Sequence, residues 1–237
     1  MTARLDGKII LVTGADGGIG RAIVARLLRD GAKVVASDLK APASEAPKDR
    51  LLGLAQDVSD EGIWKATIDR ILDWGGRVDG LVNNAGICHR EPITGTSPDA
   101  LDLHYRVNQR GTALGMQAVF EPMRRVGGGS IVNLSSLAGL KAFTHSYAYG
   151  PTKWAIRGMS KMAAIEFGPH GIRVNSIQPG AIETQMLVGM TPELDAMIPL
   201  KRRGQPDDIA PVVSFLLSED AKYVTGAEVT VDGGLGL

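Results

Sequence analysis

The chain has 237 residues, with Lys plus Arg and Asp plus Glu balanced at 26 each and a single cysteine, Cys88. A net charge of zero gives no electrostatic reason to expect nucleic acid or an anionic membrane as a partner, and one cysteine excludes an internal disulfide framework and fits a reducing cytosol. No apolar run reaches membrane-spanning length, and the opening "MTARLDGKIILVTG" enters a strand directly instead of reading as a signal peptide, so a soluble cytoplasmic protein is expected.

In chain order, "KIILVT" (8–13) predicts a buried strand, followed by an apolar-periodic helix over 18–30. "AKVVASD" (32–38) predicts a second strand and "LGLAQDV" (52–58) a third, weaker one, with "APASEAPKD" (41–49) as a surface loop between them. A helical pattern covers 59–74, "VDGLVNN" (78–84) is a fourth strand, and Pro98 opens a long helix reaching about Arg125. "GSIVNLSS" (129–136) is a fifth strand, a helix runs over 146–167, and "IRVNSIQPG" (172–180) is a sixth strand. After an irregular stretch, "QPDD" opens a last helix with Pro206 in its first turn, and "AEVTVDGG" (227–234) is a seventh strand. Strands that alternate with helices and read as continuous Val/Ile/Leu runs predict a parallel sheet covered on both faces. With no linker, repeat or low-complexity block, the expectation is one α/β domain over 1–237. Its class is Rossmann-type: a doubly wound seven-stranded parallel sheet with helices on both faces.

The loop "TGADGGIG" places Gly14, Gly18 and Gly20, with Ile19 between the last two, after the first strand and at the start of a helix. A glycine cluster alone marks only a tight turn. In this position it lets the backbone approach a pyrophosphate, which the free N–H groups and dipole of the helix start then attract. Asp38 ends the second strand, where a carboxylate accepts hydrogen bonds from ribose hydroxyls and repels a 2′-phosphate. Asp16 stands in the loop where a basic residue would help to hold that phosphate. Both acids favour NAD over NADP, with Lys40 nearby as the one opposing feature.

With these motifs in place, the chain resembles the single-domain branch of the short-chain dehydrogenase/reductase family along essentially its whole length. The resemblance is carried by "TGADGGIG", "DV" at Asp57 and Val58, "NNAG" at 83–86, Asn108, "NLSS" ending at Ser136, "YGPTK" at 149–153, "PGAIET" at 179–184, and "TGAEVTVDGG". "YGPTKWAIRGMSKMAAIEFG" is further similar to the family's bacterial hydroxysteroid and alicyclic-alcohol dehydrogenases. Of the two tyrosines in "HSYAYGPTKWAIRG", only Tyr149 fits the family pattern of Tyr followed four residues later by Lys, here Lys153. Residues so spaced share a helix face, and the Lys153 ammonium is expected to lower the Tyr149 pKa towards usefulness in acid–base catalysis. Tyr147 is expected to be a packing or pocket-wall residue.

The resemblance implies that Ser136 positions the substrate oxygen and that Asn108 relays a proton through water to Lys153. It implies that Asp57 and Val58 hold adenine, that Asn83, Asn84, Ala85 and Gly86 pass behind the adenosine half, and that Lys153 also binds the nicotinamide ribose. Ile182 and Thr184, following Pro179 and Gly180, contact the carboxamide. Ser135, its neighbour on a strand, faces the other way. His89, His104, His145 and His170 match no zinc spacing, and no metal is expected; the run 201–203 reads as a solvated turn.

The expected function is NAD-dependent interconversion of a secondary alcohol and a ketone on a hydrophobic (alicyclic, steroid-like or aryl) substrate, with a 3-oxoacyl-thioester reductase as the alternative. A nucleotide sensor without chemistry is disfavoured by the presence of Asn108, Ser136, Tyr149 and Lys153 together. An extended-branch epimerase is disfavoured by the short segment after "PGAIET". A lid over about 184–200, carrying Met186, Leu187, Met190, Met197 and Leu200, suits an apolar ligand. By family resemblance the chain is expected to self-associate, with a homotetramer as the frequent state, through its last helix and seventh strand.

Overall fold

The computed structural model describes residues 4–43, 47, 49–187 and 193–237. Part of the 41–49 loop and, in the lid, Met190 lie outside the described residues. Seven strands form one parallel sheet: β1 (Ile9–Thr13), β2 (Lys33–Asp38), β3 (Leu51–Ala55), β4 (Gly80–Asn83), β5 (Gly129–Leu134), β6 (Ile172–Pro179) and β7 (Glu228–Val231), in the order β3-β2-β1-β4-β5-β6-β7. The order reverses direction between β1 and β4. At such a point the connecting helices leave to opposite faces and a crevice opens beyond the strand ends.

Continuous apolar runs become central strands because both faces are covered. All five residues of β1 are buried. On one face Ile23 and Leu27 of α1 (Gly18–Arg29) and Ile209, Val213 and Leu216 of α7 (Pro206–Leu217) pack against Ile10, Val12 and Val34. On the other, Trp64 and Ile68 of α2 (Glu61–Gly75), Met116 and Val119 of α4 (Gly111–Arg125) and Ala163 of α5 (Tyr149–Phe167) pack against Leu11, Val35 and Ile131. The remaining helices are α3 (Pro98–His104) and a short α6 (Glu193–Met197) in the lid.

Three elements differ from expectation, and each difference bears on the crevice. The helix expected from Pro98 to about Arg125 is broken into α3 and α4 by a π-helical turn, Tyr105–Arg110, with Asn108 inside it. Such turns widen the backbone and re-aim side chains. Here the Asn108 carboxamide is drawn onto Ile87, accepting from its N–H at 2.8 Å and donating to its carbonyl at 3.0 Å, while Thr112 Oγ1 donates to the Asn108 carbonyl at 2.8 Å. The helix expected from Ser146 begins at Tyr149, because His145 has φ 59° and Ser146 is bridged to Glu91 instead. The third strand pairs only over Leu51–Ala55; Gln56, Asp57 and Val58 continue past its end into the crevice.

The last rung of the central strands is polar and satisfied internally. Asn83 Nδ2 donates to Asn133 Oδ1 (2.8 Å), and Asn133 Nδ2 donates to Ser160 Oγ on α5 (2.9 Å). Buried amides require such partners, and this chain ties β4, β5 and α5 together beneath the crevice floor.

Candidate active site

At the crevice, β1 runs into the glycine loop. Gly14 has φ 61°, and a Cβ there would lie 2.7 Å from Ala85 Cα; a Cβ on Gly20 would lie 2.1 Å from the Gly14 carbonyl oxygen. Only glycine allows this turn and this packing of loop on helix. The N-cap of α1 is Gly17, with no capping side chain, so its first N–H groups are left to a ligand. Asn84 anchors the loop from β4: its Nδ2 donates to the carbonyls of Thr13 (3.0 Å) and Gly14 (2.8 Å), while Thr13 Oγ1 accepts from the N–H groups of Asn84 and Ala85, both at 3.1 Å.

Asp38, at the end of β2, accepts from the N–H of Asp16 at 2.9 Å and that of Leu39 at 2.8 Å. The Asp16 carboxylate is itself paired with Arg21 at 2.8 Å. Both acids were expected to favour NAD, with Lys40 as the opposing feature, but it is Arg21, in the first turn of α1, that pairs with Asp16, and of the two only Asp38 has no ion pair. Gln56 escaped the sequence reading. It is 3% exposed, lines the crevice, and neither of its amide atoms has a partner. The one signal for it was a polar residue continuing the inward-facing row of β3.

At the opposite end, Tyr149 and Lys153 share a face of α5. Lys153 is buried, with Nζ 5.5 Å from the Tyr149 ring centre and donating to the Leu134 carbonyl at 2.9 Å. Ser136 is extended (φ −171°), its Oγ accepts from the Ala138 N–H at 3.1 Å, and it lines the same crevice as Tyr149. Ser135 points away and donates to the Lys153 carbonyl at 2.8 Å.

Burial pushes the half-buried Tyr149 phenol above its ordinary pKa, and the Ser136 hydroxyl opposes this. Burial lowers Lys153 to about 8. The expected pull of Lys153 on the phenol is therefore not a property of the protein alone, since desolvation outweighs it and the ammonium is turned to a backbone carbonyl. Asn108 is fully buried behind the wall. Its carboxamide hydrogen bonds go to Ile87 and Thr152 and none to Lys153, although a Cβ on Gly86 would meet both Asn108 Oδ1 (3.2 Å) and Lys153 Nζ (3.5 Å). Tyr147 was expected as a packing or pocket-wall residue; it is 45% exposed and is not among the residues lining the crevice.

The crevice has a volume of about 1230 Å³ and is lined by every expected cofactor residue except the buried Asn83, from Gly14, Asp16, Gly18, Ile19 and Gly20 to Pro179, Gly180, Ile182 and Thr184, and by Ser136, Tyr149 and Lys153. That exceeds the usual single-ligand pocket of roughly 300–1,000 Å³ and suits a dinucleotide with a second small molecule. The uncapped helix start, the glycine cradle and the orphaned Gln56 amide fit such a cofactor. Met186 and Leu187 line the crevice, whereas Met197 and Leu200 are 69% and 67% exposed and face solvent. Cys88, His89, Arg90 and His145 also line it, with no role assigned to them from the sequence. The basic run is ion-paired, Arg202 with Asp208 and Arg203 with Asp195. Among the described residues no cluster of His, Cys, Asp and Glu could hold a metal ion, and no helix is long and apolar enough to cross a membrane.

Comparison with known proteins agrees with this geometry. A family model described as enoyl-(acyl carrier protein) reductase matches residues 14–236. A 3-alpha-(or 20-beta)-hydroxysteroid dehydrogenase of Mycobacterium tuberculosis is 38% identical, over 99% of this chain and 91% of its own. Cyclopentanol dehydrogenase of Comamonas testosteroni is 37% identical, over 98% of each. The crystal structure of levodione reductase superposes with a TM-score of 0.89 at 33% identity, covering 98% of this chain and 99% of that one.

Proposed function

The chain belongs to the short-chain dehydrogenase/reductase family, and on that premise we propose that it is an NAD-linked dehydrogenase of hydrophobic secondary alcohols, reversible to the ketones. It is an oxidoreductase acting on CH–OH donors, as its relatives are by name. The observation that carries the reading is the placement of Tyr149 and Ser136 in the same crevice as the glycine loop, with Lys153 one turn along α5.

A nicotinamide dinucleotide, when bound, supplies the hydride acceptor or donor. The residues of this chain bind, orient and move the proton. The start of α1 with Gly14, Gly18, Ile19 and Gly20 would hold the pyrophosphate, Asp38 the adenosine ribose, and Asp57 and Val58 the adenine, with Asn84, Ala85 and Gly86 behind. Pro179, Gly180, Ile182 and Thr184 would face the nicotinamide. Ser136 Oγ holds the substrate oxygen beside Tyr149 Oη, which takes the hydroxyl proton in oxidation and returns it in reduction. Lys153, held by the Leu134 carbonyl, supports the phenolate and a ribose hydroxyl, and Asn108 fixes Ile87 and the wall next to Lys153.

Asp38 supports NAD over NADP, tempered by Arg21. Relatives named as hydroxysteroid and cyclopentanol dehydrogenases favour an alicyclic or steroid-like body, while an acyl thioester is named only in the description of the family model. A cytosolic setting and a homotetramer complete the proposal. The test is NADH formation on cyclopentanol, hydroxysteroid, aryl carbinol and 3-hydroxyacyl-thioester panels. Turnover of the first three classes is expected; activity confined to thioesters, or to none, would overturn the reading.

A further inference from the structure

The described residues lining the crevice carry their carboxylates at one end only. Asp16, Asp38 and Asp57 sit on the glycine loop, at the end of β2 and after β3. The lining around Tyr149 has no acid; it has Arg90, His145 and Lys153. Two loops bring the first two together. A parallel backbone bridge, Glu91 to Ser146, lays the loop after β4 alongside the loop before α5, so Arg90 and His145, each one residue before the bridge, share a wall. His145 holds a left-handed backbone to do so, a conformation that costs a non-glycine residue about 1–2 kcal/mol.

Arg90 lines the crevice together with Cys88 and Tyr149, and its positive charge favours the Tyr149 phenolate. Among the described residues no carboxylate is paired with either Arg90 or His145. Glu91, next in the chain, is not among the residues lining the crevice, and a guanidinium on a crevice wall without an ion-paired acid keeps donors in the planar fork that fits a carboxylate. The same end offers Phe143, Met186 and Leu187 to a hydrocarbon body.

We propose that the substrate is an anion, an apolar, ring-like secondary alcohol or ketone that also bears a carboxylate, held at that group by Arg90 with His145 beside it while its carbinol oxygen meets Tyr149 and Ser136. This rests on the secondary-alcohol reading and adds the charge of the substrate to it. The apolar end of the crevice accounts for the ring, and the acid-free cationic wall accounts for the carboxylate.

The test compares two unreactive probes of one shape, cyclohexanecarboxylate and cyclohexanecarboxamide, titrated calorimetrically into the NADH-bound enzyme. The carboxylate is expected to bind at least ~10-fold more tightly, as a charge-assisted hydrogen bond allows. Raising NaCl from about 50 to about 500 mM should shrink that ratio by screening. Arg90→Gln should bring the two probes within about threefold by weakening the carboxylate alone, and Arg90→Lys should restore part of the gap, since the charge returns without the fork. NADH affinity and the melting curve of each variant report whether it has folded.

Equal affinities in the parent, a preference that survives Arg90→Gln, or binding of neither probe each overturn the proposal. Because the readout is binding, its failure is separate from that of the parent reading. An enzyme that oxidises cyclopentanol but ignores the carboxylate loses only the anion subsite.

Discussion

Tyr149 and Tyr147 lie two positions apart and differ in what surrounds them. Tyr149→Phe keeps the ring and its packing and removes the proton, so turnover should fall by roughly 10²–10⁴-fold while NADH affinity, read by nicotinamide fluorescence, stays near that of the parent. Tyr147→Phe, on an exposed side chain, should keep nearly the full rate; the reverse pattern would move the site to Tyr147. Lys153 carries a stability signature as well. Its folded pKa, lowered to about 8 from 10.5, means that below pH 8 the folded protein bears the cost of a buried ammonium. Between about 8 and 10.5 the unfolded chain binds more protons than the folded one, so this contribution to stability rises with pH. Above 10 the raised Tyr149 phenol works the other way, because the unfolded chain ionises first. Lys153→Met should therefore melt higher than the parent at pH 7, by up to about 3 kcal/mol from the shift, and the gap should narrow towards pH 10; a gap independent of pH would refute the assignment. At the adenosine end, NADH should bind ~10-fold or more tightly than NADPH, since a like-charge contact of 1.4 kcal/mol suffices. Asp38→Ser with Asp16→Arg, which also releases Arg21 from its pair, should reverse the order, and a parent that binds both equally would remove Asp38 from the argument.

Among the elements, the β1–loop–α1 unit tolerates least. Gly20→Ala would drive a methyl to 2.1 Å from the Gly14 carbonyl oxygen. The backbone cannot yield there without moving the start of α1, so a loss of NADH affinity of about 100-fold with a lower melting temperature is expected from misplacing the pyrophosphate cradle. The π-helical turn makes a different demand. It aims the Asn108 carboxamide at both backbone groups of Ile87. Asn108→Ala leaves those buried groups unsatisfied at about 1–3 kcal/mol, and it should lower kcat by shifting the wall beside Lys153. A variant with parental stability and rate would show that the turn is ornamental to this chemistry.

Across the whole molecule, two cores on opposite faces of one sheet leave the strand ends free to form the crevice. The apolar residues of α7 were expected to cover a neighbouring subunit, yet Ile209, Val213, Leu216 and Leu217 are spent against α1 and the sheet, leaving Phe215 37% exposed. The larger exposed apolar set is on α5, where Trp154, Met162 and Ile165 are 49%, 66% and 78% exposed. Those positions recur at helical spacing, the pattern of a face that a second helix covers. Sedimentation should therefore find a species of about four chains, consistent with two-fold closure, and Met162→Lys with Ile165→Lys should dissociate it. A parent that sediments as a 25.1 kDa monomer at micromolar concentration would rule the tetramer out.

Apolar periodicity and local spacing were legible without coordinates. Buried Val/Ile/Leu runs between helical patterns determine a covered parallel sheet, the glycines after β1 determine a cradle, and residues four apart on a helix must share a face, as Tyr149 and Lys153 do. What the chain order could not reveal depends on distant segments. The orphaned Gln56 amide, the π turn at Asn108 and the direction of the Tyr149 and Lys153 pKa shifts all follow from burial, which a linear pattern does not measure. The common wall of Arg90 and His145 exists only because a backbone bridge joins loops that are more than fifty residues apart in the chain. Local propensity acts through neighbours in sequence, whereas desolvation and charge act through neighbours in space, and the tertiary fold alone decides which those are.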